Sequence, residues 1–163
     1  MKKIFFMLEV FLLSFLLMGC GTDSDYASDP ECANKDIIDT TTGSFCGVNK
    51  NDLTIYKGIK YADASKINRW KRAADVPDSP AVKLANSYGN ICYQADDQQY
   101  KSALMSEDCL YLNIWKPEDA SPENLKKVMV YIHGGAFIRG SSSNPVYDGD
   151  NLANKNDVIV VNF

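Results

Sequence analysis

EDCLYLNIW at residues 107–115 and VMVYIHGGAF at residues 128–137 are the two stretches that decide the fold of this chain. The first predicts a strand over 110–115 that ends before a proline, which cannot donate to a sheet ladder. The second starts with an unbroken apolar run and ends in two glycines. A third apolar run lies at 158–161. Unbroken apolar runs are typical of strands covered on both faces, so the pattern predicts an α/β fold.

The remaining segments give weaker signals. A turn at residues 40–47, followed by an alternating run at 53–56, predicts antiparallel strands near a sheet edge. Residues 148–155 predict a short helix with an aspartate at its N-cap. Residues 63–107 contain prolines and show no clear period, so we expect irregular structure there.

Composition excludes several classes of function. The chain has 163 residues, a hydrophobic fraction of 45% and a charged fraction of 23%, which suits one modest globular domain. A net charge of −4 without a Lys/Arg cluster gives no case for nucleic-acid binding. No Cys-x-x-Cys pair and no cluster of histidines and cysteines occurs in the sequence, so we expect no metal site.

The N-terminus has the pattern of a targeting segment. Lys2 and Lys3 precede a mostly apolar run at 4–18 that is too short for a comfortable membrane span. The run ends in LMGC at Cys20, which resembles a bacterial lipobox. We therefore expect residues 1–19 to be a lipoprotein signal peptide and Cys20 to carry the lipid. The alternative is an ordinary secretory signal with an incidental cysteine.

This interpretation predicts an exported, membrane-anchored lipoprotein of the cell envelope, at the outer membrane or cell surface. Residues 20–34 would form a lipid-bearing, flexible tether, because 21–31 is rich in Asp, Ser, Gly and Thr. An even number of cysteines in an exported chain indicates disulfide bonds. Four remain besides Cys20, and the sequence alone does not choose among three connectivities; they are Cys32, Cys46, Cys92 and Cys109.

Several motifs together resemble one enzyme family. SEDCLYLNIW at 106–115 resembles the second signature of type-B carboxylesterases, the group that includes cholinesterases, and HGGAF at 133–137 resembles their oxyanion loop. Further matches follow in the family's order: Gly58 to Ala62, Arg69-Trp70, Tyr147 to Gly149, Leu152-Ala153 and Val158 to Phe163. The resemblance implies that residues 35–163 are the N-terminal portion of an α/β-hydrolase domain.

The family hydrolyses small-molecule carboxylic esters through a serine, a histidine and an acidic residue, without metal or cofactor. Its serine lies in a G-x-S-x-G motif. The only two glycines with that spacing here are Gly43 and Gly47, and they flank Phe45. The single histidine, His133, belongs to the oxyanion loop in the resemblance. We therefore expect no catalytic triad residue in this chain, an incomplete sheet that lacks the nucleophile elbow and later strands, and no activity of the fragment alone.

The resemblance assigns roles to particular residues. Gly134, Gly135 and Ala136 would present backbone N–H groups to the substrate oxyanion, because small residues allow close approach of a carbonyl to the main chain. The alternative is that the glycines serve only a tight turn. Arg69 and Glu107 would form a structural ion pair.

The same relatives imply a disulfide bond between Cys92 and Cys109, which leaves Cys32 and Cys46 as the second pair. Both tryptophans, Trp70 and Trp115, are expected to pack in a core or wall. Two other functions are kept open: a catalytically silent cholinesterase-like binding or adhesion lipoprotein, and a small ligand-binding lipoprotein.

Overall fold

A computed structural model describes residues 29–33, 35–95 and 104–163 of the chain. These residues form one α-helix, α1 (Asp150–Asn156), and eight strands. The strands are β1 (Ile37–Thr40), β2 (Gly43–Cys46), β3 (Val48–Lys50), β4 (Leu53–Lys60), β5 (Lys83–Leu84), β6 (Tyr111–Pro117), β7 (Lys127–Tyr131) and β8 (Val158–Asn162).

The strands build two sheets. The larger has the order β3-β4-β6-β8-β7, and its neighbours are antiparallel except for the parallel pair β7 and β8. The smaller has the order β1-β2-β5, in which β1 and β2 form an antiparallel hairpin. A parallel pair joined by a helix is the βαβ unit, which here consists of β7, α1 and β8.

One face of the larger sheet packs against α1. Ile55, Trp115 and Val160 are aligned across β4, β6 and β8 and therefore point to the same side. Together with Ala153 of α1 they form a buried cluster in which Trp115 is fully covered. Gly149 begins the helix against the indole, where an added Cβ would lie only 2.6 Å from Trp115 Cδ2.

The opposite face is covered by the smaller sheet. Tyr56 and Ile59 of β4 pack with Phe45 of β2 and with Ala85, directly after β5. The register of β4 against β6 shifts between Tyr56 and Ile59, at Gly58, whose φ is 72°. This bulge needs a residue that tolerates a left-handed backbone.

The strand predictions over 110–115, 127–132 and 158–161 are confirmed to within two residues, and the run predicted as a strand at 53–56 lies in β4. The turn predicted at 40–47 covers only residues 41–42, because 43–46 form β2. The predicted helix starts at Asp150, and its N-cap is Gly149 rather than an aspartate. The closeness of the Trp115 ring explains this difference, because a side chain at position 149 would overlap it.

One packing expectation, that for Trp70, is wrong, whereas β7 has the exposed apolar residues expected of a sheet that lacks its later strands. β7 is not covered on both faces by the described residues: it has β8 as its only neighbour, and Val128 and Val130 are 59% and 55% exposed. Trp70 is 97% exposed, whereas Trp115 is buried as expected. Trp70 lies in a left-handed turn with φ of 65°, just after a 3₁₀ turn, and not in a strand that faces a core.

The N-terminal predictions fall largely outside the described part of the chain. Residues 1–19 and Cys20 lie outside it, as does most of the predicted tether. Within it, residues Pro30–Cys32 form a 3₁₀ turn, and Cys32 is buried. Among the helices of the described residues, none has the length and hydropathy that a bilayer crossing requires.

Candidate active site

The glycine loop starts from a fixed point at the end of β7. The His133 N–H donates to the Phe163 carbonyl at 3.4 Å, and the Phe163 N–H donates to the Tyr131 carbonyl at 3.2 Å. These bonds continue the parallel ladder of β7 and β8 past the strands. The loop therefore leaves the sheet in a defined position.

The loop itself is a tight turn with an unusual backbone. Gly135 has φ of 140°, and the next two residues, Ala136 and Phe137, have φ of 56° and 61°. The Gly135 carbonyl accepts hydrogen bonds from Ile138 N at 3.1 Å and Arg139 N at 3.2 Å. A Cβ on Gly135 would overlap the Arg139 carbonyl, so only glycine fits there.

Three backbone donors are exposed by this geometry. Within the described residues, the N–H groups of Gly134, Gly135 and Ala136 donate to no acceptor. Gly134 and Ala136 are exposed, and Phe137 beside them is fully solvent-accessible at 110%. Adjacent backbone N–H groups without acceptors can bind an anionic oxygen.

A cleft of about 320 Å³ lies beside the loop. The loop, the end of the sheet and the segment around Cys92 enclose it. Its lining includes Tyr61, Cys92, Ile132, Phe137, Ser142 and Phe163. Tyr61 and Phe163 meet edge to face, with ring centroids 5.7 Å apart. The wall is therefore largely apolar and aromatic, which suits an uncharged organic group.

Two tyrosines of the cleft keep their protons at neutral pH. Burial raises the pKa of Tyr61. Burial also raises the pKa of Tyr111, and the hydrogen bond from its hydroxyl to Asp108 Oδ2 at 3.0 Å adds to this. Neither phenol therefore contributes a negative charge that would oppose an oxyanion.

A buried amide network, which the sequence analysis missed, attaches the segment after the loop to the sheet. Asn113 Nδ2 donates to Asn162 Oδ1 at 2.8 Å and to Ser142 Oγ at 3.2 Å. Asn162 Nδ2 donates to the carbonyls of Ser142 and Tyr147, and Asn113 Oδ1 accepts from Gly58 N at 2.9 Å. The only sequence signal that could have pointed to this network is that Asn113 lies within the EDCLYLNIW stretch.

The serines after the loop act as turn residues. The Ser141 hydroxyl lies 2.7 Å from the Ser143 hydroxyl and accepts from the Ser143 N–H at 3.1 Å. Ser141 is also buried. In the described residues, no three potential ligand side chains gather at one place to hold a metal.

The adjacent carboxylates of Glu107 and Asp108 have different partners. Glu107 pairs with Arg69. Asp108 pairs with Lys60 at 2.9 Å. The two carboxylates thus hold separate parts of the chain and do not form one acid–base pair.

The predicted presence of disulfide bonds is confirmed, since two occur among the described residues. Cys92 is joined to Cys109 beside the cleft, and Cys32 is joined to Cys46 of β2. The first bond fixes the segment that closes the cleft. The second attaches the 3₁₀ turn to the smaller sheet.

The fold and this loop can now be compared with known proteins. The structure is similar to an esterase from the anaerobe Clostridium hathewayi, with a TM-score of 0.70 and 35% identity over 79% of this chain and 27% of that one. It is also similar to a PNB esterase structure, with a TM-score of 0.67 and 38% identity over 78% and 26%. The class is thus the α/β-hydrolase fold, as predicted.

Sequence comparison gives the family. The sequence pattern of the carboxylesterase family matches residues 34–163. The chain is 40% identical to para-nitrobenzyl esterase of Bacillus subtilis over 77% of its length, and 35% identical to acetylcholinesterase of Danio rerio over 96%. This chain belongs to the carboxylesterase family. It spans about a quarter of the length of these relatives, 26% in both cases.

Proposed function

We propose that this chain supplies the oxyanion-hole portion of a carboxylic ester hydrolase whose substrates are small-molecule esters. The observation that carries the proposal is the left-handed turn at Gly135 and Ala136, which leaves adjacent N–H groups without acceptors among the described residues, beside an apolar cleft. The matched relatives are named as esterases and lipases. They give no support to a catalytically silent binding protein.

The chemistry assigned to the loop is stabilisation of negative charge. As an ester carbonyl is attacked, its oxygen becomes anionic, and the N–H groups of Gly135 and Ala136 would donate to it. A preorganised donor of this type contributes about 3–4 kcal/mol, or about 10²–10³ in kcat. The nucleophile, the base and the acid would come from residues outside the 163, so the 163-residue chain alone is expected to hydrolyse no ester.

The test begins with the coding sequence beyond the codon for Phe163. It should encode a G-x-S-x-G elbow, and the complete polypeptide should hydrolyse p-nitrophenyl acetate. Replacing Ala136 by L-lactic acid removes its N–H and makes the Gly135 carbonyl a weaker acceptor for Ile138 N and Arg139 N; it should lower kcat by about 100-fold or more. The same exchange of amide for ester at Leu125, which is 83% exposed, is the matched control. A reading frame without the elbow, or an unchanged kcat after replacement at Ala136, would refute the proposal.

We also propose that the chain is exported and attached to a membrane by a lipid on Cys20. Two disulfide bonds are typical of an oxidising compartment, and Lys2-Lys3 followed by an apolar run ending at Cys20 is the pattern of a lipoprotein signal. Radiolabelled palmitate should label the wild type and not Cys20→Ala. Equal labelling of both would exclude this site.

A further inference from the structure

Gln94 lies two residues after Cys92 and holds Gly140, the residue that closes the glycine loop. Gln94 Nε2 donates to the Gly140 carbonyl at 3.0 Å, and Gln94 Oε1 accepts from the Gly140 N–H at 2.8 Å. One side-chain amide thus binds both backbone groups of a single residue, as a neighbouring strand would. Two bonds to one residue fix its orientation as well as its distance.

The Gln94 amide is itself held in place. Its Nε2 also donates to the Cys92 carbonyl at 3.1 Å. Cys92 is cross-linked to Cys109, which lies two residues before β6. The amide is therefore tied to the central sheet through a covalent bond and a local hydrogen bond.

Gly140 packs closely against the start of the loop, where the candidate N–H donors lie. Its φ is 132°, and a Cβ at this position would overlap the His133 ring and the Gly134 carbonyl. The turn between Gly135 and Arg139 is closed by hydrogen bonds of its own. Because Gly140 packs this closely on His133 and Gly134, a displacement of Gly140 toward them would move the start of the loop.

We propose that Gln94 is a positioning residue: it holds the N–H groups of Gly134, Gly135 and Ala136 where they can donate hydrogen bonds to the oxyanion. This inference rests on the proposed function. Gln94 acts through Gly140, and the proposal gives it no contact with the reacting atoms. Donor geometry matters steeply, since a misplacement of about 1 Å can cost about 100-fold in rate.

The test uses two variants of the complete polypeptide. Gln94→Met keeps the approximate size and removes all three hydrogen bonds. Gln94→Glu keeps an acceptor for the Gly140 N–H and places a carboxylate against the Gly140 carbonyl. The matched control is Asn154→Leu in α1, which removes another amide bond to a backbone carbonyl, that of Asn51 at 2.7 Å.

For Gln94→Met we expect kcat to fall by about 10–100-fold while KM changes less than about threefold and the thermal midpoint stays near that of the wild type. Gln94→Glu should lower kcat at least as much as Gln94→Met, because its carboxylate would repel the Gly140 and Cys92 carbonyls and the oxyanion. Asn154→Leu should match the wild type in kcat. Unchanged kcat in Gln94→Met would overturn the proposal. So would a loss of kcat that is fully accounted for by a smaller folded fraction.

A second measurement needs no activity. Amide hydrogen exchange of the complete polypeptide should be faster over residues 134–140 in Gln94→Met and unchanged over α1. If the wild-type polypeptide hydrolyses no ester, the proposed function fails, and this exchange measurement still decides whether Gln94 positions the loop. Equal exchange of the loop in both proteins would overturn the positioning role.

Discussion

The centre of the larger sheet and its β7 side are stabilised in different ways. Trp115 on β6 and Tyr56 on β4 are completely buried, each within an apolar cluster. Only β8 separates β6 from β7, yet Val130 on β7 is 55% exposed and Phe137 in the loop is fully exposed. Hydrophobic burial stabilises the first region. The second has little of it among the described residues.

Among the described residues, hydrogen bonds hold the loop and the segment that follows it. Asn113 and Asn162 hold the segment that follows it, and Gln94 holds Gly140. Apolar contacts tolerate small displacements, whereas paired amides fix direction and distance. The comparison suggests that stability and site geometry can be changed separately, and the following variants test that separation.

The largest effect is expected for Trp115→Ala at the centre of the sheet. Truncating a buried tryptophan removes its apolar contacts and leaves a cavity, which typically costs about 3–5 kcal/mol. Chemical denaturation of the chain measures the loss in the free energy of unfolding. Leu125→Ala, at an exposed position, should change it by less than about 0.5 kcal/mol. Similar losses in both variants would contradict the assignment of the core.

The second-largest effect is expected when the cleft disulfide is removed. The double variant Cys92→Ala/Cys109→Ala opens a loop with a sequence separation of 17, worth about 3 kcal/mol in the chain-entropy model. It should also speed hydrogen exchange over residues 134–140. Cys32→Ala/Cys46→Ala, with a separation of 14, should cost a similar free energy without changing exchange in the loop. Faster loop exchange in both double variants would mean that the exchange rate of the loop reports only the global stability of the fold.

A smaller effect is expected for Asn113→Leu. The change keeps the size of the side chain and removes the partners of the Gly58 N–H and the Asn162 amide. Unsatisfied buried polar groups cost about 1–3 kcal/mol. Nuclear magnetic resonance should show its main shifts in residues 141–147. Shifts confined to the Trp115 cluster would argue against the network as the attachment of that segment.

The smallest effect is expected for Lys126→Met, because both partner carboxylates of Lys126 are exposed to solvent. Lys126 Nζ binds Asp119 at 2.8 Å and Asp157 at 2.7 Å, so the hydrogen bond from Lys126 lowers the pKa of Asp119 from its ordinary 3.8. A carboxyl with a lowered folded-state pKa stabilises the fold above its unfolded value, and this stabilisation is lost as pH falls through the folded value.

The hydrogen bonds that Lys126 Nζ donates to Asp119 and Asp157 raise the pKa of Lys126, so its contribution to stability is present below its ordinary 10.5 and is lost at higher pH. Thermal unfolding at a series of pH values checks this prediction. The small difference between wild type and Lys126→Met should persist near neutral pH and shrink below pH 3.8. A difference that grows in acid would have the wrong sign for these ion pairs.

Strands and turns with a local cause were predictable from the sequence. The apolar runs that became β6, β7 and β8 and the glycines at 134–135 are patterns within a few residues, and such patterns follow from backbone sterics and side-chain period. The apolar run of β7 does not by itself reveal its exposure, because such a run is the same whether or not another element covers it; the expected lack of later strands does.

The sequence by itself therefore determined the family, the strand locations and the loop that carries the candidate donors. The tertiary structure alone decided that Trp115 is buried and Trp70 exposed, since both are the same residue type and differ only in what packs on them. It also decided the pairing of Gln94 with Gly140 and of Asn113 with Asn162, which are 46 and 49 residues apart. A hydrogen bond over such a separation leaves no periodic trace in the sequence, because it depends on how the sheet brings distant segments together.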